Sequence, residues 1–265
     1  MIKSLVQWGS RLSLMGTLLL SPVVGLSLMP SAAIAIPEAQ IERKLQGIPV
    51  YAISNEEGVL LTVSVPRDRE KPDEGRISLT RVFISQTDAQ SFLAQVRESN
   101  PDIPQGMSAR AMPLSEVYKL HQEYKDAEEP LVFQFQPKDE QVNQARTVLQ
   151  QQGDPELANA FQGVPLFMAK AGEDRGYLTI QNGDRQAVLA FFDHGDLEQA
   201  LEEYKKQNSD ANSQIVVQVT TLERLMDLLI TEDDPFLQKV ELIPTPESRS
   251  FLQQEIERRQ SGGTP

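Results

Sequence analysis

Apolar positions along this chain recur in two matching series. Gly47-Ile48-Pro49-Val50-Tyr51 returns as Gly163-Val164-Pro165-Leu166-Phe167. Ahead of each stands an i, i+4 apolar pair, Ile41 with Leu45 and Leu157 with Phe161. That spacing predicts a helix with one inward face, ended by Gly at its C′ position and barred from continuing by Pro. A short apolar strand follows. Val59, Leu61, Val63 and Val65 then alternate, which predicts a second strand with these four on one face. Arg81-Val82-Phe83-Ile84 is answered by Leu189-Ala190-Phe191-Phe192, a third strand. Between the first and third strands the first series is the longer one. The extra length falls in its charged stretch 66–75, read as an extended, solvated hairpin loop.

The correspondence continues. Ala89, Phe92, Leu93 and Val96 match Leu197, Ala200, Leu201 and Tyr204, both stripes of a helix lying on a sheet. Met107, Ala109 and Ala111 match Ile215, Val217 and Val219 as alternating strand positions. A further helix carries Leu114, Val117, Tyr118 and His121 in one series, and Leu222, Leu225, Met226 and Leu229 in the other. Last strands at 133–137 and 240–244 lead into closing helices at 139–151 and 247–259. The predicted fold is α+β: two pseudo-symmetric duplicated lobes, each a small, mostly antiparallel sheet covered by helices. Residues 36–151 form the first repeat, ending in a bridging helix; 152–259 form the second, and 260–265 a loose tail.

The first 35 residues stand outside this scheme. Lys3 and Arg11 precede an apolar run, and Ala33-Ile34-Ala35 supplies small residues for cleavage between Ala35 and Ile36. This is the pattern of an export signal, and Ser21, Pro22 and Gly25 break it as a membrane anchor. Trp8 leaves with the leader, as do Lys3 and Arg11, so the net charge of −13 deepens to −15. Such a surface repels nucleic acid and anionic lipid. With 0 Cys, an ordinary apolar core must hold the exported chain, and thiol chemistry is excluded.

Candidate chemistry is sparse. His194 lies in Phe192-Asp193-His194-Gly195-Asp196, where the other series has Ile84-Ser85-Gln86-Thr87-Asp88. Asp193 and Ser85 suit an N-cap, and Asp196 and Asp88 suit the positive end of the helix that follows, so capping accounts for the cluster. His121 takes the position of Leu229 and is expected to be packed and hydrogen-bonded. Acidic runs such as Glu128-Glu129 and Glu232-Asp233-Asp234 read as solvated. No nucleophile elbow, phosphate loop or metal spacing appears, and the chain reads as a non-enzyme without cofactor or metal. Both faces of the third strand are apolar, however. Arg81 marks the face of Leu79 and Phe83, and by correspondence that of Leu189 and Phe191, as the less covered one. These four are the candidate client-contact residues.

The paired Gly-x-Pro corners, the strand ends Val82-Phe83-Ile84-Ser85 and Ala190-Phe191-Phe192-Asp193, and the duplication behind a leader resemble one family. It is the twenty-two-kilodalton subunit family of the translocon at the inner chloroplast envelope, in its cyanobacterial form. The resemblance implies a two-winged α+β fold with apolar pockets and no enzymatic activity. It also implies a periplasmic or thylakoid-lumen location, outer-membrane protein precursors as clients and an Omp85-type barrel-assembly protein as partner. The expected function is a chaperone-like escort without stable membrane insertion. The alternatives are a structural adaptor for one envelope partner and a small-ligand or lipid carrier. On this reading a polar substitution at Phe83 or Phe191 weakens client binding and leaves the melting temperature nearly unchanged.

Overall fold

The computed structural model describes residues 36–172, 176–182, 185–207 and 215–261. The leader, with Ala35 of the expected cleavage site, and tail residues 262–265 lie outside the described residues. Ile36, on the other side of that bond, is buried in the core. The first repeat runs α1 (Glu38–Gln46), β1 (Pro49–Ser54), β2 (Val63–Pro66), β3 (Arg76–Phe83), α2 (Gln86–Ser99), β4 (Ser108–Pro113), α3 (Leu114–Tyr124), β5 (Leu131–Gln136) and α4 (Asp139–Gln151). The second runs α5 (Pro155–Ala160), β6 (Pro165–Lys170), β7 (Ile180–Asn182), β8 (Arg185–Phe191), α6 (His194–Gln207), β9 (Val216–Thr221), α7 (Leu222–Thr231), α8 (Pro235–Lys239), β10 (Val240–Ile243) and α9 (Pro246–Gln260).

The repeats build the same sheet in the same register. In the first, β3 pairs antiparallel with β1 and β2 and parallel with β5, and β4 flanks β1. In the second, β8 takes the place of β3, with β6, β7, β10 and β9 in the corresponding positions. Tyr51 opposes Phe83 as Phe167 opposes Phe191, and Pro49 opposes Pro113 as Pro165 opposes Thr221. The correspondences Tyr51 to Phe167 and Phe83 to Phe191 are those read from the sequence.

Local differences have local causes. β2 is shorter than the alternation suggests, and Val59 and Val63 are 56% and 60% exposed at that edge of the sheet. Helix α8 has no counterpart in the first repeat. Asp234 caps it by accepting from Phe236 N at 2.8 Å, Pro235 fills its first position, and Leu237 is buried. In α1 both Ile41 and Leu45 point inward, but in α5 the inward residue is Ala158 and Leu157 is exposed. α5 is too short to place Phe161 on its face, so the ring packs from the C-cap position.

One apolar cluster joins the two repeats through the inner faces of both sheets. It includes Val50, Val82 and Ile84 from the first, Leu166, Val188 and Phe192 from the second, and Leu45, Leu114 and Leu222 from α1, α3 and α7. The outer faces are closed reciprocally. On the second sheet, Val142, Ala145 and Leu149 of α4, from the first repeat, pack with Leu197 of α6 over Phe167 and Phe191. On the first, Ala89 and Leu93 of α2 cover Phe83, and Phe251 of α9 meets Tyr51 edge-on at 6.0 Å.

This cover corrects the expected client surface. Phe83 and Phe191 are 4% and 6% exposed, and Leu79 and Leu189 are half-buried. Arg81 does not mark an open face, because its guanidinium lies over the Phe92 ring at 4.7 Å while the side chain stays exposed. Phe83→Ala and Phe191→Ala should each cost about 3–5 kcal/mol in urea unfolding, and an unchanged midpoint would contradict this packing.

Candidate functional site

The polar residues singled out by sequence gather where four helices begin. Ser85 and Asp193 do cap α2 and α6, accepting from Asp88 N at 3.4 Å and Asp196 N at 3.1 Å. Each helix start also takes a second acceptor from the other repeat's closing helix. Glu247 Oε1 accepts from Gln86 N at 2.9 Å, and Gln141 Oε1 accepts from His194 N at 2.9 Å. Gln141 also donates to Asp193 Oδ2 at 2.8 Å, and Arg249 grips Asp196 through both guanidinium nitrogens. His194 stacks edge-on against Phe167, its ring 5.1 Å away, so it is a packed residue at a helix start. His121 differs from expectation. It is exposed in the last turn of α3, whereas its counterpart Leu229 is buried. Among the described residues no cluster of three or more His, Asp or Glu is arranged to hold a metal.

Sequence reasoning missed one half-buried carboxylate. Glu223, in the first turn of α7, accepts from Val164 N through both oxygens, at 3.2 and 3.1 Å. Burial pushes its ionisation above the usual carboxylate range, and the backbone donors pull it back in part. The contact fixes the corner at Gly163, whose φ is +98° and whose missing Cβ would lie 2.7 Å from Glu223 Oε2. Gly47, the counterpart, has φ −79° and open space around it, so it is not the left-handed cap that the repeat suggests. In the first repeat Ser115 stands in the place of Glu223, and Ile48 N donates to Leu45 O at 3.2 Å instead.

The two outer seams are unequal. In the second repeat, α5 folds back on α4 through the turn at Gly153, φ +82°, and helps to bury Leu149 to 4% exposure. In the first, α1 packs on α3 instead, and no turn joins it to α9. Counted from the first residues of the two closing helices, Asp139 and Pro246, Ile256 takes the place of Leu149. Lacking that cover, it is left 49% exposed. Beside it runs an open groove of about 300 Å³, lined by Pro49, Ala111, Met112, Phe251 and Leu252, with Glu255 and Arg259 on its rim. The hollow at the other seam, about 470 Å³, is more polar, with Asp139, Asn143 and Arg146 beside Phe161.

Comparison with known proteins agrees with this architecture. The family model described as the Tic22-like family matches residues 5–255. The chain belongs to the Tic22-like family. Among Tic22 relatives, Protein TIC 22, chloroplastic, of Pisum sativum is 23% identical over 230 residues, covering 86% of this chain and 81% of that protein. Protein TIC 22-like, chloroplastic, of Arabidopsis thaliana is 27% identical over 173 residues, 65% of this chain, and the match spans 49% of that relative. The solved structure of Anabaena Tic22, described as protein transport, matches with a TM-score of 0.70 and 28% identity over 82% of this chain and 96% of that one. Tic22 from Plasmodium falciparum, at 20% identity and TM-score 0.61, covers 85% of this chain and 99% of its own, and shares the fold. Among the described residues of this Tic22-like chain, no helix is long and apolar enough to cross a membrane.

The two glycine corners make an internal comparison. Gly163→Ala should cost at least about 1–2 kcal/mol, the strain of a left-handed L-residue, before any displacement of Glu223. Gly47→Ala should stay within about 0.5 kcal/mol, and equal losses at both would refute the geometry. Because the folded state raises its pKa, Glu223 adds stability in acid, and that contribution is lost as pH rises through the raised value. Glu223→Gln should remove this part of the pH dependence of the urea midpoint. Parallel pH profiles for the two proteins would show that the carboxylate is not desolvated.

Proposed function

We propose that this protein escorts exported precursor polypeptides, shielding extended apolar segments in the periplasm before they reach an outer-membrane assembly site. The observation that carries the reading is the groove beside Ile256, an apolar surface left exposed on one seam where the hollow of the other is more polar and its Leu149 is buried. A precursor strand exposes alternating apolar side chains, and a shallow groove can hold them weakly. The surrounding charge of −13 keeps such a complex soluble. The description of Anabaena Tic22 as protein transport supports the same class of function. The Omp85-type partner follows from the family resemblance and belongs to the proposal. An open groove suits a passing polypeptide better than a stored lipid, which calls for an enclosed cavity.

Light scattering from an aggregating unfolded protein tests this. The protein should suppress it, and Ile256→Asp should lose most of that suppression with stability changed by less than about 0.5 kcal/mol. Leu149→Ala should instead lose about 2–5 kcal/mol of stability. Full suppression by Ile256→Asp would remove the groove from the function, and no suppression by the parent protein would favour an adaptor for a single partner.

A further inference from the structure

Strands β4 and β9 occupy the same outer position in their sheets but differ on their free sides. Leu114 N donates to Ile48 O, and Leu222 N to Val164 O, each at 2.8 Å. These bonds bracket the pairs Pro49–Pro113 and Pro165–Thr221. The alternation of an antiparallel ladder then turns the N–H and C=O of Ala109 and Ala111 away from β1, and those of Val217 and Val219 away from β6. On β9, Val217 O is occupied by Gln152 Nε2 at 2.6 Å. Counted along the closing helices as before, the residue in the place of Gln152 is Arg259. It lines the groove, and its guanidinium has no hydrogen bond or ion pair among the described residues. Arg97 takes the carbonyl of Met107 at 2.7 Å, but no described residue bonds the outward backbone of Ala109 or Ala111.

The groove meets this edge at its C-terminal end, where Ala111, Met112 and Pro113 line it in succession. Neighbouring strand residues face opposite sides of a sheet, so a hollow touching all three reaches the edge of β4, and Ala109 continues that edge beyond it. An unpaired edge beside an apolar wall is a template for a further strand. The rim also carries a charge. Glu255 is paired with Arg258, which leaves Arg259 as the unmatched cation of the groove on a strongly acidic protein.

We propose that the first sheet takes up an extended polypeptide segment as an added strand along β4. Its backbone pairs with Ala109 and Ala111, its alternate apolar side chains lie against Phe251, Leu252 and Ile256, and an acidic residue meets Arg259. This rests on the escort reading and specifies its occupant. Backbone pairing tolerates many sequences, while the apolar wall and the arginine set a preference among them.

The probe is a synthetic peptide of about ten residues, alternating Val or Phe with Thr and carrying Asp at one end. Two derivatives are N-methylated on one or the other alternating set of amides. One derivative should bind at least about tenfold more weakly than the parent peptide, since several hydrogen bonds are lost together, and the other should bind nearly as well. Amide exchange at Ala109 and Ala111 should slow on binding. Arg259→Glu should weaken the Asp peptide and favour one with Lys in its place. Equal binding of both methylated peptides means that side chains dock without strand pairing, which overturns this inference and leaves the escort reading intact. Slow exchange at Ala109 and Ala111 without peptide, in a chain that sediments as a dimer, makes a second copy the occupant and overturns it as well. No peptide binding together with no suppression of aggregation removes both.

Discussion

Each sheet depends for its outer cover on the last helix of the other repeat. α4 closes the second sheet and α9 the first, and the exchange is pinned at the starts of α2 and α6, where Glu247 and Gln141 accept from Gln86 N and His194 N. Withdrawing either acceptor would leave a helix N-terminus short of a partner and uncover an aromatic core residue on the same face. The shared central cluster adds a second reason why neither repeat is self-sufficient. Tyr51 shows the depth of the α9 contact: burial and the nearby Glu247 charge push its phenol up to about 12, so it stays neutral beneath Phe251.

Reciprocity also decides where the protein is open. A duplicated chain can cover equivalent surfaces equally only if equivalent helices reach them. α4 and α5 are joined by the Gly153 turn, whereas α9 and α1 lie far apart in the chain, and α1 is held elsewhere. Lys44 anchors α1 by donating to the carbonyls of Gln238 and Val240, both at 2.8 Å, and desolvation there lowers its pKa. The exposed flank of α9 and the unpaired edge of β4 follow from that topology. No unusual residue is needed to create them.

Much of the architecture is legible in the sequence because a repeat supplies its own alignment. The matches of Tyr51 with Phe167 and Phe83 with Phe191 reappear as equivalent strand registers, and Ser85 and Asp193 cap as expected. The candidate site is not legible. Arg81 suggests an open face, but a long side chain can lie over Phe92 and keep its charge in water above a covered surface. Phe83 and Phe191 are covered by the stripes of α2 and α6, which the sequence does show. The share that α4 adds over Phe191 and α9 over Tyr51 comes from the other repeat, and no local pattern announces that. Helix α9 hides its role differently: its apolar residues Phe251, Leu252 and Ile256 sit among many charges, and only their place against β1 and beside β4 makes them a groove wall. Helix α8 is visible in principle, since Asp234-Pro235 pairs an N-cap with a favoured first residue.

The central claim is that exposed Ile256 meets passing polypeptides while its counterpart Leu149 is buried in the core. A photo-crosslinking amino acid placed at either position in living cells, followed by identification of the trapped species, measures this directly. The account predicts several different exported precursors captured in extended form at position 256 and none at position 149. A single stoichiometric partner at 256, or equal capture at both positions, would contradict it.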